Sequence, residues 1–218
     1  MRSTQYPLNT EGVWCEIFAK PVPGCPALFL DRDGAVIEEA GYLCRIEDVV
    51  MIPGAAKVIA AANQRDVAVI LVTNQAGIGL GYYGWSQFSA VQQAIIERLT
   101  AKDARLNAVY ACAHHPEGHG KFAHPNHPSR KPNPGMLQQA ASDLSLDLKR
   151  SWLVGDKASD IEAAKRAGLA GAMHVSTGYG VAERPDVVRF AAPSFQVRFS
   201  RSIADAMTLP IFAGKVSV

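Results

Sequence analysis

The chain has 218 residues, of which 48% are hydrophobic, and a formal net charge of +2. This length and composition are typical of one globular domain with a sizeable core, and they exclude a wholly disordered or fibrous chain. The small charge and the scattered Lys and Arg residues argue against nucleic acid as a partner. No apolar run is long enough to cross a membrane, and no secretory signal is recognisable. The four cysteines show no paired spacing, so we expect a cytoplasmic protein with reduced thiols and no membrane partner.

The first 26 residues differ from the remainder of the chain. They contain four prolines and little periodicity, which predicts an extended arm or an edge addition at 1–26 ahead of one folded domain at 27–218. We expect a monomer or a weak oligomer.

The remainder of the chain alternates between two kinds of segment. Short apolar runs predict strands at 27–30, 67–72, 108–113, 151–154 and 170–175. Helical periodicity predicts helices at 54–63, 86–100, 134–144 and 160–167. The tail adds a predicted strand at 187–190 and a short amphipathic helix at 202–207. This order predicts an α/β fold with a mainly parallel sheet between two helical layers, and such sheets bind ligands at the carboxyl ends of their strands.

Two carboxylates follow the first predicted parallel strand, in the run Asp31-Arg32-Asp33-Gly34. Both can turn toward a shared site as the strand ends, and the glycine permits a tight bend. One carboxylate can attack phosphorus, while the other gives a proton to the leaving oxygen and later activates water. The alternative is a solvated loop in which these acids only cap structure.

Polar groups also follow the second predicted strand. Thr73, Asn74 and Gln75 offer a hydroxyl and two amides suited to phosphate oxygens. Gly77 and Gly79 let backbone N–H groups approach an anion closely. Read alone, this run is an ordinary capping turn.

Charged residues of both signs occur later in the chain, just before the helix predicted at 134–144 and after the fourth predicted strand. Lys131 can neutralise a transferring phosphoryl group, and Arg130 can hold a substrate phosphate through two parallel hydrogen bonds. Asp156 follows the fourth predicted strand and suits Mg²⁺, a hard cation that takes oxygen ligands. Asp160 is predicted either to support this metal from outside its ligand shell or to cap the next helix.

The ordered set Asp31-x-Asp33, Thr73, Lys131 and Gly155-Asp156 with Asp160 resembles the four motifs of the haloacid dehalogenase (HAD) superfamily. The resemblance implies the HAD-like Rossmannoid three-layer sandwich, and the short segments between motifs imply no large cap domain. It implies Asp31 as the nucleophile, Asp33 as the general acid and base, and Thr73 and Lys131 as phosphoryl stabilisers. It also implies Mg²⁺ bound by Asp31, the main-chain carbonyl of Asp33, and Asp156. The second acid favours a phosphatase over a dehalogenase, because halide departure needs no proton donor.

Within that superfamily the chain resembles the D-glycero-D-manno-heptose-1,7-bisphosphate phosphatase and histidinol-phosphatase group. The supporting strings include Glu39-Ala40-Gly41-Tyr42, Thr73-Asn74-Gln75-Ala76-Gly77-Ile78 and Arg130-Lys131-Pro132. The resemblance implies that Arg130, Glu39 and Tyr42 lie beside the substrate, with Asn74 and Gln75 close to them. The implied substrate is a small phosphate ester such as the heptose bisphosphate. Histidinol phosphate is the closest competing substrate.

That group often carries a structural zinc held by Cys-x-His and a later Cys-x-Cys. Cys112 and His114 match the first pair, whereas His127 and Ser129 replace the second. A histidine is an acceptable zinc ligand and a serine is a poor one, so His119 or His124 would have to supply the fourth donor. A metal-free loop is the alternative.

Two further readings compete with a metabolite phosphatase. A binding or regulatory protein with this fold would not need all of Asp31, Asp33, Lys131 and Asp156. A nucleic-acid 3′-phosphatase would be expected to carry a kinase loop or a basic stripe, and neither is present in the sequence. The sequence therefore favours an enzyme that acts on a small phosphorylated metabolite.

Overall fold

The computed structural model of the protein describes residues 6–213. Its strands are β1 (Trp14–Ile17), β2 (Ala27–Leu30), β3 (Ala68–Asn74), β4 (Ala108–Cys112), β5 (Trp152–Gly155), β6 (Gly171–Val175) and β7 (Gln196–Ser200). Its α-helices are α1 (Ala55–Asn63), α2 (Ala76–Gly79), α3 (Trp85–Thr100), α4 (Gly135–Leu144), α5 (Ala158–Ala167) and α6 (Gly180–Val187). The predicted inner strands and the four predicted helices are present, with ends that differ by one or two residues.

All these strands form one sheet in the order β1-β4-β3-β2-β5-β6-β7. Every neighbouring pair is parallel except β1 with β4, so the predicted mainly parallel sheet is confirmed. The chain builds outward from β2 in one direction through β3 and β4, then returns to the other side of β2 with β5. Such a reversal of strand order opens a crevice at the carboxyl ends of the strands.

The sheet is covered on both faces, which makes the predicted three-layer sandwich. Val58 of α1 and Phe88 and Ile95 of α3 are buried in one core, and Met136 of α4 and Ile161 of α5 are buried in the other. Each of these four helices buries the apolar stripe that its sequence periodicity predicts. The helices α2 and α6 were not predicted. Within residues 6–213 no inserted domain covers the strand ends, and no helix there is long and apolar enough to span a membrane.

The edges of the sheet differ from the sequence-based expectation. Residues 187–190, predicted as the final strand, instead end α6 and form a 3-10 turn, because Val187 and Phe190 bury one face at helical spacing. The final strand is β7, and its polar, largely exposed residues gave no apolar signal. The helix predicted at 202–207 is present as a 3-10 helix, Ile203–Thr208.

The predicted N-terminal arm contains the other edge strand. β1 pairs antiparallel with β4, and Trp14 is buried among the aromatic rings of Trp85 and Phe88 at centroid distances of 5.5 and 5.0 Å. Residues 1–5 of the arm lie outside the described residues. From Trp14 to Ile17 the arm is therefore part of the sheet and its core.

Candidate active site

Three carboxylates converge at the carboxyl edge of the sheet. Asp31 follows β2, Asp156 follows β5, and Asp160 lies in the first turn of α5. One oxygen from each of the three lies within 4.8 Å of the others, and all three side chains are buried. This is the convergence that the strand-end argument predicts for Asp31 and Asp156.

Lys131 lies inside this acidic group. Its Nζ is 2.7 Å from Asp31 Oδ1 and 2.6 Å from Asp160 Oδ1, and it donates a hydrogen bond to the Val72 carbonyl at 2.9 Å. Asn74 holds the lysine's backbone through two hydrogen bonds, of 2.9 and 3.0 Å. Asn74, predicted to contact substrate, therefore also fixes the segment that carries the lysine.

Asp33 is held in a second network beside Asp31. The Arg32 guanidinium contacts both oxygens of Asp33, at 3.0 and 3.1 Å. The Gln75 amide donates to Asp33 Oδ2 at 3.1 Å and to Thr73 Oγ1 at 2.8 Å, while its oxygen accepts from the Tyr83 hydroxyl at 2.6 Å. Thr73 and Gln75 thus orient the predicted acid, a role beyond the predicted phosphate contacts.

Asp156 has the environment expected of a cation ligand. Its Oδ2 accepts the Tyr179 N–H at 2.7 Å, whereas its buried Oδ1 has no hydrogen-bond partner within residues 6–213. Gly34, at φ 86°, lies so close to this carboxylate that a side chain on it would collide with Asp156. An unpaired buried carboxylate oxygen beside Asp31 fits a hard divalent cation such as Mg²⁺.

Both carboxylate oxygens of Asp160 contact protein groups. Oδ1 pairs with Lys131, and Oδ2 accepts the Lys157 N–H at 3.0 Å at the start of α5. Asp160 therefore both contacts Lys131 in the site and caps α5, so the two interpretations of this residue are compatible. Asp160 contributes to the site through Lys131, which suits the predicted place outside the metal ligand shell.

Burial and crowding change the acidity of the group. Burial raises the pKa of Asp31 to about 7; the Lys131 cation opposes this rise, and the Asp160 and Asp33 charges add to it. Burial and the charges of Asp31 and Asp160 raise the pKa of Asp156 to about 8. A bound divalent cation would favour the ionised form of both carboxyls.

These pKa shifts predict a pH-dependent stability. A carboxyl whose pKa is raised on folding binds its proton more tightly in the folded state, so stability falls as pH rises from the ordinary value of 3.8 to about 8. Mg²⁺ should then raise Tm more at pH 8 than at pH 5, since binding at pH 5 must displace protons. Thermal melts with Mg²⁺ or EDTA at the two pH values measure this. An Mg²⁺ shift that is equal at both, or larger at pH 5, would contradict the shifted carboxyls.

A cavity of about 470 Å³ opens above these groups. The predicted substrate contacts Glu39, Tyr42 and Arg130 line its wall, and Arg130 donates to the His114 carbonyl at 3.1 Å. Tyr42 packs against Tyr82 with ring centroids 4.6 Å apart. The cavity has the size expected for a small metabolite.

Several residues that line this cavity had no role predicted from the sequence. Lys157 Nζ is 3.4 Å from Glu39 Oε2 and 4.3 Å from the centre of the Tyr179 ring. Lys157 directly follows Asp156, so its position in the motif was the available signal. Arg32, the partner of Asp33, carried no signal beyond its place between the two acids. Tyr179 belongs to no motif, and only the fold brings it to the cavity.

Comparison with known proteins agrees with this arrangement. Residues 128–200 match the family model described as HAD-hydrolase-like. The chain is 47% identical over 169 residues to D-glycero-beta-D-manno-heptose-1,7-bisphosphate 7-phosphatase of Mesorhizobium japonicum, covering 77% of this chain and 78% of that protein. The chain belongs to the heptose-bisphosphate phosphatase family of HAD hydrolases. It is also 40% identical over 186 residues to D-glycero-alpha-D-manno-heptose-1,7-bisphosphate 7-phosphatase of Burkholderia mallei, covering 84% of this chain and 94% of that protein.

Solved structures of this family have the same fold. A HAD-like phosphatase structure from Mesorhizobium loti superimposes with a TM-score of 0.84 at 39% identity, over 96% of this chain and 98% of that one. D,D-heptose 1,7-bisphosphate phosphatase from B. bronchiseptica, solved with magnesium and phosphate, superimposes with a TM-score of 0.72 at 28% identity, over 84% and 96%. The predicted HAD fold and phosphatase class are therefore confirmed.

The loop considered as a zinc site brings most of its candidate ligands near one another. Cys112 Sγ is 3.9 Å from His127 Nδ1, and the His114 and His127 rings stack 3.7 Å apart at an angle of 7°. The His124 ring lies 5.0 Å from the His127 ring. His119 is exposed, and no ring contact joins it to this group within residues 6–213.

This arrangement does not fit one tetrahedral zinc ion. An imidazole nitrogen binds a metal in the plane of its ring, and two stacked, nearly parallel rings cannot direct their lone pairs at one ion. His114 Nε2 also contacts the Glu11 carbonyl at 2.9 Å, and His127 Nδ1 accepts the Ser129 N–H at 3.1 Å. Burial raises the pKa of Cys112 to about 11, and it lowers that of His127 to about 4 with help from His114 and His124. The stacking of His114 on His127 and the contacts of these rings with Glu11 and Ser129 therefore hold this loop.

We expect purified protein to contain well under one zinc per chain. Elemental analysis after extensive dialysis against Mg²⁺ measures this, with the zinc content of a His127→Ala variant as the control. One tightly held zinc in the wild-type protein that disappears in the variant would show that the loop rearranges around a metal.

Proposed function

We propose that the chain is a Mg²⁺-dependent phosphatase that removes the 7-phosphate of D-glycero-D-manno-heptose 1,7-bisphosphate through an aspartyl-phosphate intermediate. The observation that carries this proposal is the meeting of buried Asp31, Asp156 and Lys131 at the open edge of the sheet. The 47% identity to the M. japonicum 7-phosphatase supports the choice of substrate.

The first half of the proposed reaction forms a covalent intermediate. An oxygen of Asp31 attacks the phosphorus, and the bond from phosphorus to the sugar oxygen breaks. Asp33 donates a proton to that leaving oxygen, so the sugar departs as an alcohol. Lys131 and Thr73 stabilise the phosphoryl oxygens during the transfer.

The second half restores the enzyme. Asp33, now ionised, takes a proton from a water molecule, whose oxygen attacks the phosphorus of the acyl phosphate. The bond from phosphorus to Asp31 breaks, and inorganic phosphate and the Asp31 carboxylate are released. To reach the substrate, the Asp33 carboxylate must exchange part of its contact with Arg32 and Gln75 for contact with the leaving oxygen.

The donor set is suited to Mg²⁺. Asp31 and Asp156 would hold the ion with the Asp33 main-chain carbonyl, and the unpaired Asp156 oxygen supports this assignment. When bound, Mg²⁺ offsets the negative charge of the phosphoryl group and of the nearby carboxylates. Lys131 also offsets the charge of Asp31 through its direct ion pair.

Substrate recognition is proposed for the wall of the cavity. Arg130 can bind a phosphate or a hydroxyl group at the mouth, with Glu39 and Tyr42 beside it. Asn74 and Gln75 also line the cavity. Their side chains already form hydrogen bonds with protein groups, Asn74 with Lys131 and Gln75 with Thr73. The exposed rim made by Tyr42 and Tyr179 leaves room for a polar sugar.

Replacing Asp33 with asparagine tests whether Asp33 donates a proton to the leaving group or only supports the structure of the site. With Asp33→Asn we expect the first turnover of a sugar phosphate to slow by about 10²–10⁴-fold, since its alkoxide needs a proton to leave. The first turnover of p-nitrophenyl phosphate should slow far less, because nitrophenolate leaves without one. Rapid-quench measurement of the released alcohol or phenol gives both rates. Equal losses for the two esters would contradict the acid role.

A substrate panel tests the proposed function. Phosphate release should require Mg²⁺ and should have its highest kcat/KM with the heptose bisphosphate, in comparison with histidinol phosphate, nucleotides and a 3′-phosphorylated oligonucleotide. Both anomers of the bisphosphate belong in the panel, since the relatives carry either name. Preference for histidinol phosphate would move the assignment to the competing enzyme. Absence of turnover on every ester would favour the binding protein.

The organisation of the protein remains a prediction. We retain an arm at 1–26, a phosphatase domain at 27–218 and a monomer or weak oligomer. The four cysteines are free thiols, which supports the predicted reducing, cytoplasmic location.

A further inference from the structure

A second polar cavity lies at the carboxyl ends of β6 and β7. It has a volume of about 620 Å³, and its lining includes Arg184, Arg198, Arg201, Ser176 and Ser200. No residue lines both this cavity and the candidate active site. The two are separate sites on the same edge of the sheet.

The second cavity has an excess of positive charge. Three guanidinium groups line it against one carboxylate, that of Asp205, which accepts a hydrogen bond from the Ser200 hydroxyl. None of the three arginines has a carboxylate within ion-pair distance anywhere in residues 6–213. Arginines without acidic partners around one concave surface favour an anionic ligand.

Arg184 is held in place from two sides. Its Nη2 donates to Ser176 Oγ at 2.8 Å and to the Ser200 carbonyl at 3.1 Å, and its guanidinium lies 5.1 Å from the centre of the Phe199 ring. Its buried Nε has no hydrogen-bond partner within the described part of the chain. A guanidinium held in one orientation at the cavity wall can bind phosphate oxygens through its accessible N–H groups.

We propose that this cavity binds a small phosphate-bearing anion at a site distinct from the catalytic one. Arg184 would supply a fixed contact, and the exposed Arg198 and Arg201 would close around the phosphate oxygens. Ser176 and Ser200 add hydroxyl groups that can adapt to the ligand. The ligand is either inorganic phosphate or a phosphorylated metabolite, which share this chemistry.

Equilibrium dialysis of the full chain tests the proposal. EDTA is included to prevent turnover, and chloride at about 0.15 M screens weak surface binding. The probes are labelled inorganic phosphate and, in a second arm, labelled glucose 6-phosphate. The wild-type protein is compared with an Arg198→Gln/Arg201→Gln variant and with Arg189→Gln, which removes an exposed arginine that does not line the cavity.

We expect the double variant to bind one equivalent fewer of at least one probe, while Arg189→Gln matches wild type. The probe that loses its site identifies the source of the phosphate. Equal binding by wild type and the double variant, or equal loss in Arg189→Gln, would overturn the proposal. Phosphatase activity of the double variant should be unchanged, so failure of this site and failure of the catalytic assignment are distinguishable.

Discussion

Replacing Asp31 with asparagine should reduce turnover by at least about 10⁴-fold while the protein stays folded. The amide is nearly the same size as the carboxylate, but its nitrogen and neutral oxygen cannot form the acyl phosphate. The change also removes one metal ligand and one of the two carboxylate partners of Lys131. Steady-state phosphate release with saturating Mg²⁺ measures the loss.

Two controls make this result interpretable. Asp186→Asn changes an exposed aspartate that does not line the cavity and should keep wild-type activity. The metal-free Tm of Asp31→Asn should equal or exceed that of wild type, since burial disfavours the charge that is removed. Residual activity within about tenfold of wild type would contradict a covalent route through Asp31.

Among the single substitutions proposed for the site, replacing Lys131 with methionine should cause the largest loss of unfolding free energy. The buried ammonium pairs with Asp31 and Asp160, so its removal leaves two buried carboxylates without their cation. Breaking a buried ion pair from one side costs about 3–5 kcal/mol of unfolding free energy. The loss should be greatest above about pH 8, where Asp31 is ionised, and it should shrink toward pH 5 as Asp31 takes up its proton, because burial raises the pKa of Asp31 to about 7.

Urea unfolding in EDTA at the two pH values measures this effect. Lys102→Met, which removes an exposed lysine, is the matched control and should change stability by less than about 0.5 kcal/mol. Added Mg²⁺ should restore part of the stability of Lys131→Met, because it supplies positive charge next to Asp31. A Lys131→Met protein as stable as the control variant at both pH values would refute the charge balance proposed for the site.

Much of the fold and of the site was predictable from sequence, because key polar residues directly follow apolar runs that form strands. The apolar runs before Asp31, Thr73 and Asp156 are buried in adjacent parallel strands, so their carboxyl ends must lie at one edge. Lys131 follows no strand, and its place beside Asp31 was predicted from the family resemblance. Periodicity located α1, α3, α4 and α5 because each of them buries a single apolar stripe.

The parts that were not predicted depend on contacts between residues distant in sequence. β7 is polar because it lies at a sheet edge, and Val187 and Phe190 imitate a strand although they pack as a helix face. The orientation of side chains was also not predictable from the sequence. The stacking of His114 on His127, which favours the metal-free loop over the zinc site, depends on ring angles that residue spacing does not determine.

The phosphorylation state of Asp31 during turnover is the most direct test of the account. Labelled heptose bisphosphate is mixed with the enzyme, the reaction is quenched in acid within one turnover, and the peptide containing Asp31 is analysed by mass spectrometry. We predict a phosphoryl group on Asp31 that appears with Mg²⁺ and is missing with EDTA. Turnover at the normal rate with no label on Asp31, or with the label on another residue, would contradict it.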